Sequence, residues 1–186
     1  SLEVMWKNLP NWITEGEQAL VVCDTSGSMS SCYGLNTQPI DVALALTIYY
    51  AERNKNENGK DHFITFSARP KLQKIEGNSL FEKIKSLNCS EWDMNTDFNR
   101  VFDLILDRAK ANNLSEEDMP KKIYVVSDME FDDCGGKRTN FENVEKRYSE
   151  AGYIMPQMVF WNVNSKQNNI PVKYNQKGVA LVSGYS

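Results

Sequence analysis

The 186-residue sequence lacks the patterns that mark several common classes of enzyme and metal site. It contains no CxxC pair among its four cysteines and has a single histidine, His62, which argues against a zinc site or a redox dithiol. There is no GxxxxGK[ST] phosphate loop, and His62 does not lie in a recognisable Ser-His-Asp arrangement. Nucleotide hydrolysis at a P-loop and triad-based hydrolysis are therefore not expected.

The sequence also lacks long hydrophobic runs and blocks of one charge. No apolar stretch approaches the roughly 20 residues needed to cross a bilayer, so neither a membrane span nor a membrane partner is expected. Acidic and basic residues are interleaved at a net charge of -4, which leaves no cationic stripe for a phosphate backbone. We therefore expect a soluble protein that does not bind nucleic acid directly.

The widely spaced cysteines favour free thiols. Cys23 lies inside an apolar run, where cysteine most often acts as a small buried hydrophobic residue. Free thiols are typical of reducing compartments. These features predict an intracellular protein of the cytoplasm or nucleus.

Length and pattern together predict one α/β domain over residues 1–186, belonging to a longer protein. Short apolar runs without strict alternation are typical of strands buried on both faces of a parallel sheet. Such runs occupy residues 19–23, 62–66, 123–126, 158–161 and 179–182. Residues 71–75 follow a turn too short for a parallel crossover and therefore predict an antiparallel edge strand.

Helical patterns alternate with these strands. Apolar residues recur at three- and four-residue spacing over residues 40–51, 80–87, 98–109 and 141–151. Alternating strands and helices predict a mostly parallel central sheet with helices on both faces, which right-handed crossovers make a doubly wound α/β fold.

Two of the predicted strands end in an aspartate. Asp24 closes the first apolar run, and Asp128 closes the run that begins at Ile123. In an open α/β sheet, ligands bind beyond the carboxyl ends of the strands, near the point where strand order reverses. We therefore expect both carboxylates at that edge.

Asp24 is followed by Thr25-Ser26-Gly27-Ser28. In extended or turning backbone, positions 24, 26 and 28 project to one side, so one carboxylate and two hydroxyls come together. Oxygen ligands with few carboxylates suit Mg²⁺ or Mn²⁺ and do not suit metals that prefer thiolate or imidazole. The segment predicts a divalent-cation site, with Ca²⁺ less favoured.

The segment Asp24-Thr25-Ser26-Gly27-Ser28 resembles the DxSxS signature of the metal-ion-dependent adhesion site of von Willebrand factor A (vWA) domains. That family also uses a threonine in a later loop and an aspartate after the fourth strand, where Thr96 and Asp128 stand. The resemblance implies a Rossmann-like three-layer fold. It also implies a metal held by Asp24, Ser26, Ser28, Thr96 and Asp128, with one position open for a carboxylate of a partner protein.

Further segments around the strands resemble one particular subgroup of vWA domains. Cys23 to Met29, Phe63 to Ser67 and Val126 to Met129 are similar to the intracellular vWA domains at the C-terminal end of proteins related to the Ro autoantigen, an arrangement shared by an uncharacterised family of larger proteins. The RNA-binding helical repeats of Ro-type proteins have no counterpart here, so RNA binding is not implied. Other domains of the parent protein are additional candidate partners.

The chain departs from the vWA pattern near the predicted threonine ligand. Asn95 stands where many members have glycine, and the charged Asp97 follows Thr96. Acidic residues at 130, 132 and 133 add negative charge to the same edge. This charge strengthens cation binding but repels an acidic partner.

Three functional interpretations follow, and the favoured one is a non-catalytic module that binds a protein partner through its metal. The second is a scaffold domain in which the metal joins the loops at the sheet edge. The third is a metal-dependent phosphoryl hydrolase of the haloacid-dehalogenase type, which also places aspartates after two strands. That chemistry needs an acid/base aspartate where this chain has Ser26.

Overall fold

The fold is described from a computed structural model that covers residues 1–13, 18–30, 37–56, 58–88, 97–129, 141–164 and 178–184. Within these ranges, no helix has the length and apolar character needed to cross a membrane.

A six-stranded sheet forms the centre of the described fold, in the order β3-β2-β1-β4-β5-β6. Its strands are β1 (Ala19–Cys23), β2 (His62–Thr65), β3 (Leu72–Lys74), β4 (Lys122–Ser127), β5 (Gln157–Asn162) and β6 (Val179–Ser183). Strands β2, β1, β4, β5 and β6 run parallel, whereas β3 pairs antiparallel with β2. The strand order reverses between β1 and β4, as it does in doubly wound folds.

The antiparallel edge strand is confirmed. His62 of β2 pairs with Lys74 of β3, and Ile64 pairs with Leu72. The connection between β2 and β3 is too short to hold the helix that a parallel crossover requires, so the chain turns back along the same edge.

Five helices accompany the sheet: α1 (Leu2–Lys7), α2 (Pro39–Arg53), α3 (Leu80–Asn88), α4 (Phe98–Ala111) and α5 (Phe141–Glu150). The buried faces of α2 and α3 share one hydrophobic cluster, and those of α4 and α5 share the other. These two clusters flank the sheet and make three layers, α/β/α. The predicted doubly wound, Rossmann-like α/β fold is confirmed.

Strand β1 is buried on both faces, which explains why apolar and polar residues do not alternate along it. Leu20 and Val22 lie in the cluster under α4 and α5, whereas Val21 and Cys23 lie in the cluster under α2 and α3. Successive side chains of a strand point to opposite faces, and here both faces are covered by helices. All five residues of β1 are buried, so an apolar side chain is favoured at each position.

Helix α1 was not expected from the sequence. It has only six residues, none of them buried, so its sequence is too short to show a helical repeat. Trp6 packs against the cluster under α2 and α3, and its Nε1 donates to Glu52 Oε2 of α2 at 2.9 Å. Glu3 Oε2 accepts from the backbone N–H of Leu80 at 2.8 Å. Tertiary contacts therefore stabilise a helix that is too short to persist alone.

Candidate metal site

Asp24 and Asp128 lie next to each other at the carboxyl edge of the sheet. Cys23 of β1 pairs with Val126 of β4, and the backbone N–H of Asp24 continues the ladder by donating to the Val126 carbonyl at 3.0 Å. Both aspartates are almost fully buried, with 1% and 0% of their surface exposed. Both aspartates therefore lie at the carboxyl edge of the sheet where the strand order reverses, which is the position expected from the sequence.

The loop after Asp24 brings both serine hydroxyls to the same place. The Ser26 N–H donates to Asp24 Oδ1 at 2.9 Å, and the Oγ atoms of Ser26 and Ser28 lie 3.0 Å apart. A short 3-10 helix, Gly27–Ser30, begins within this loop, where the Met29 N–H donates to the Ser26 carbonyl at 3.1 Å. The chain thus folds back on the aspartate and gathers one carboxylate and two hydroxyls.

Ser127, which sequence considerations did not select, links the two strands at this edge. Its hydroxyl donates to Asp24 Oδ2 at 2.5 Å and accepts the N–H of Met129 at 3.0 Å. The side chain is completely buried. Its signal in the sequence is weak: one polar residue at the end of an apolar strand, directly before an aspartate.

Met29 accepts a hydrogen bond from the backbone of the second aspartate. Its sulfur atom accepts the backbone N–H of Asp128 at 3.2 Å, and neither residue is exposed. The backbone of the next residue, Met129, has a φ of 61°, in the left-handed region that a methionine rarely adopts. The hydrogen bond from the Met129 N–H to the Ser127 hydroxyl helps to hold this conformation.

Thr96, the remaining predicted ligand, lies outside the described residues, as do Asn95 and the acidic positions 130, 132 and 133. The neighbouring Asp97 is described and caps helix α4, because its Oδ1 accepts the N–H of Asn99 at 3.0 Å. Its carboxylate is thereby engaged at a helix N-terminus, where negative charge is favourable.

Electrostatics at the site are unfavourable to a second buried negative charge. Burial raises the pKa of Asp24, the hydrogen bonds from Ser127 and Ser26 lower it, and the charge of Asp128 raises it again. No basic side chain among the described residues forms an ion pair with Asp24. A bound cation would offset both the burial and the mutual repulsion of the two carboxylates.

The oxygen atoms at this site have the chemistry of ligands for a small hard cation. They are the oxygen atoms of Asp24, Ser26 and Ser28, together with the carboxylate of Asp128, which is near enough to raise the pKa of Asp24. Mg²⁺ and Mn²⁺ accept such ligands and keep several waters. Within the described ranges, no group of three or more His, Cys, Asp or Glu side chains forms an alternative metal cluster. The nearby Cys23 is buried among apolar side chains, and desolvation raises the pKa of its thiol to about 12, so it stays protonated.

A family model described as "Domain of unknown function (DUF7788)" matches residues 18–186 of the chain. The chain belongs to the DUF7788 family. Helix α1 precedes the region that defines this family, whereas the two aspartates and both serines of the candidate site lie within it.

Two further similarities extend this assignment. The DUF7788 chain is 32% identical over 193 residues to "Uncharacterized protein L728" of Acanthamoeba polyphaga mimivirus, covering 100% of this chain and 32% of that protein. It superimposes on the crystal structure of the Deinococcus radiodurans Ro (RSR) protein with a TM-score of 0.58 at 13% identity, covering 94% of this chain and 33% of that one. The expected likeness to Ro-type proteins is confirmed at the level of the fold. The chain spans about a third of the length of either protein.

Proposed function

We propose that this DUF7788 chain is a vWA-like module that binds Mg²⁺ or Mn²⁺ and, through the metal, a carboxylate of a partner protein. The observation that supports this most strongly is the convergence of Asp24 and Asp128, both buried, with the hydroxyls of Ser26 and Ser28 at the reversal of strand order. In this proposal Thr96 supplies a third hydroxyl from the loop before α4.

The mixture of ligands explains why a partner carboxylate would bind. Hydroxyls are neutral ligands, and a dication with only two nearby carboxylates retains Lewis acidity at its open coordination position, where a third anionic oxygen can bind. An aspartate or glutamate of another protein, or of another domain of the parent chain, would supply that oxygen. The module itself carries out no reaction in this proposal.

The first experiment measures metal binding. Titration of the chelator-treated protein with Mn²⁺, followed by electron paramagnetic resonance of the free ion, should give one saturable site. Asp24→Asn and Thr96→Ala should each lose it, whereas Asp107→Asn and Thr37→Ala, at exposed positions, should retain it. Equal Mn²⁺ binding by Asp24→Asn and the wild-type protein would contradict the proposal.

The second experiment asks whether one metal position is open. Water-proton relaxation of the Mn²⁺-loaded protein should fall when acetate replaces a bound water, and acetamide, a neutral analogue of the same shape, should have little effect. Saturable metal binding without any response to acetate would favour the scaffold interpretation, in which the metal joins the loops at the sheet edge. The scaffold interpretation is supported by the hydrogen bonds of Ser127 and Met29, which already connect the loops after β1 and β4.

The hydrolase alternative receives less support from the geometry. Ser26 occupies the position of the acid/base aspartate, and its hydroxyl lies against Ser28. A hydroxyl has no tuned acidity with which to protonate a leaving group. Turnover of a phosphate monoester with Mg²⁺ that disappears in Asp24→Asn would overturn the non-catalytic proposal.

A further inference from the structure

Strand β6 forms one edge of the sheet, and among the described residues no strand pairs with its outer side. It runs parallel to β5 along its whole length. Both ends of the strand are held, because the Gly178 carbonyl accepts from the Met158 N–H at 2.9 Å and the Gly184 N–H donates to the Asn162 carbonyl at 3.0 Å. The edge is therefore a defined part of the fold.

The backbone of β6 offers hydrogen-bonding groups on its outer side. In a parallel ladder, alternate residues of a strand bond to the same neighbour. The bonds of Gly178 and Gly184 to β5 place the even-numbered residues of β6 on the β5 side. The N–H and carbonyl groups of Val179, Leu181 and Ser183 therefore point away from the sheet. Such a row of donors and acceptors can pair with another strand.

The edge at β6 lacks the residues that usually prevent an edge strand from pairing. No charged residue and no proline occurs between Gly178 and Ser186. Leu181 and Val182 are each 40% exposed, which is unusual for large apolar side chains in the described part of this protein. Natural edge strands are commonly protected by lysine, proline or a bulge. An uncharged, apolar edge therefore indicates a strand that pairs with a partner.

The opposite edge of the same sheet is protected. Strand β3 has only three residues and carries the exposed Lys74, and the exposed Lys71 directly precedes it. Two copies that met along β3 would bring lysines close together, and like charges on paired strands repel each other. Two copies that met along β6 would bring no charges together. The contrast between the two edges favours association of two copies, and only along β6.

The lack of charge also favours a second copy over a different protein. A partner of different sequence is commonly selected by charge opposite to that of the surface it binds, and β6 offers no charge for such selection. Self-pairing, in contrast, places each residue opposite itself or a near neighbour, so it requires an edge without like charges. The sequence of β6 meets this requirement.

We propose that β6 pairs with β6 of a second copy of this chain, antiparallel about a two-fold axis, so that the two sheets join into one. Leu181 then lies opposite Leu181 of the partner subunit, and Val179 lies opposite the partner's Ser183. This register uses every outward N–H and carbonyl group of β6. A two-fold pair leaves no free outer side on β6, so association stops at a dimer.

The proposed dimer does not depend on the metal site, but it determines how two such sites are arranged. Strand β6 runs parallel to β1 and β4, which end at Asp24 and Asp128. Antiparallel pairing would therefore place the two candidate metal sites at opposite ends of the joined sheet. Both would stay accessible to partners.

Sedimentation velocity of the full-length chain over a concentration series measures the association. The wild-type protein should form a dimer in a concentration-dependent way, with no larger species. Leu181→Lys places two ammonium groups opposite each other and should raise the dissociation constant by about ten-fold or more. Gln73→Lys adds the same charge to the other edge strand, β3, and should leave the constant unchanged. A wild-type protein that stays monomeric, or a Leu181→Lys protein that dimerises as the wild type does, would overturn the proposal.

A charge swap tests the two-fold register. Leu181→Glu should also lose the dimer, for the same reason as Leu181→Lys. An equimolar mixture of the two variants should restore a dimer, because in the proposed register residue 181 of one copy meets residue 181 of the other. A mixture that remains monomeric while the wild-type protein dimerises would contradict this register and the proposal with it.

Hydrogen exchange of the wild-type protein tests the interface without any variant, and it decides if the substituted chains do not fold. The Val182 N–H is directed to β5 and should exchange slowly in monomer and dimer. The Leu181 N–H points outward and should become slow only at concentrations where the dimer forms. Fast exchange of Leu181 in the dimer would show that the chains meet elsewhere.

Two variants separate this proposal from the proposed metal function. Leu181→Lys should bind Mn²⁺ as the wild-type protein does, and Asp24→Asn should still dimerise. Loss of the dimer in Asp24→Asn would show that pairing along β6 depends on the metal site, which would overturn the claim of independence.

Discussion

The Ser127 hydroxyl donates a hydrogen bond of 2.5 Å to Oδ2 of Asp24, from the end of β4 to the end of β1. The N–H of Ser26 donates to the other carboxylate oxygen, Oδ1, at 2.9 Å. Asp24 is therefore held by both of its oxygens, and these two hydrogen bonds fix the orientation of its carboxylate. Ser127, which sequence considerations did not select, thus orients the Asp24 carboxylate.

Removing this hydroxyl should weaken the metal site. We expect Ser127→Ala to lower Mn²⁺ affinity by about ten-fold or more, since partners that orient metal ligands typically contribute that much. Ser127→Thr retains the hydroxyl and should restore most of the affinity. Calorimetric titration measures both.

Ser86→Ala is the matched control for that experiment. Its hydroxyl also accepts a backbone N–H, from Glu76 at 3.1 Å, but it lies on α3, away from the site. Mn²⁺ affinity should be unchanged in this variant. Equal affinities of Ser127→Ala and Ser86→Ala would show that Ser127 does not orient Asp24.

Asp24→Asn should be at least as stable as the wild-type protein when metal is absent. Burial raises the pKa of Asp24, so the folded state binds this proton more tightly than the unfolded state does. The wild-type protein therefore loses stability as pH rises from the unfolded pKa through the folded pKa. Asparagine carries no charge and should avoid that loss.

Thermal unfolding in chelator over a range of pH measures the difference. The advantage of Asp24→Asn should grow as pH rises through the acid range and shrink at low pH, where Asp24 is protonated in both states. Adding Mg²⁺ should raise the unfolding temperature of the wild-type protein and leave that of the variant unchanged. A variant that is less stable in chelator at every pH would contradict this account.

Met29 should matter for both packing and hydrogen bonding. Met29→Ala removes a fully buried side chain and should lower the free energy of unfolding by about 2–5 kcal/mol, through lost burial and the cavity that remains. Met29→Leu conserves volume but leaves the buried N–H of Asp128 without its sulfur acceptor, so about 1–3 kcal/mol is expected. Urea denaturation of the metal-free protein gives both values.

Met158→Leu provides the comparison for that second value, because Met158 is equally buried in the opposite cluster. Without a hydrogen bond to lose, Met158→Leu should cost less than about 1.5 kcal/mol. If the two Met-to-Leu changes cost the same, the sulfur contact makes no separate contribution.

Gly59 is required by the close approach of Asn54. A Cβ at position 59 would overlap Nδ2 of Asn54, which donates to the Ala19 carbonyl at 3.0 Å. Gly59→Ala should displace this buried amide and lower the free energy of unfolding by about 1–3 kcal/mol, since a buried backbone carbonyl loses its donor. Urea denaturation measures the loss.

Gly152→Ser is the contrasting change. Gly152 has a positive φ of 82° but open space around it, so the expected loss of about 1 kcal/mol reflects backbone strain alone. It should leave the hydrogen exchange of the Ala19 region unchanged, whereas Gly59→Ala should accelerate it. Slow exchange retained in Gly59→Ala would argue against displacement of Asn54.

Local pattern was sufficient to predict most of the fold. The apolar runs and the helical stripes indicate which faces are buried. The short turn before β3 indicates that β3 must lie next to β2. The placement of Asp24 and Asp128 at one edge follows, because the carboxyl ends of parallel strands meet there. These features depend on residues close together in sequence, and the amino-acid pattern determined them by itself.

The tertiary structure alone decided which side chains meet. Ser127 and Asp24 are 103 residues apart, and they touch because the pairing of Cys23 with Val126 sets the register of β1 against β4. Had the register shifted by one residue, Ser127 would point to the other face. The docking of α1 on Glu52 likewise arises from contacts between distant segments, which leave no periodic signal along the chain.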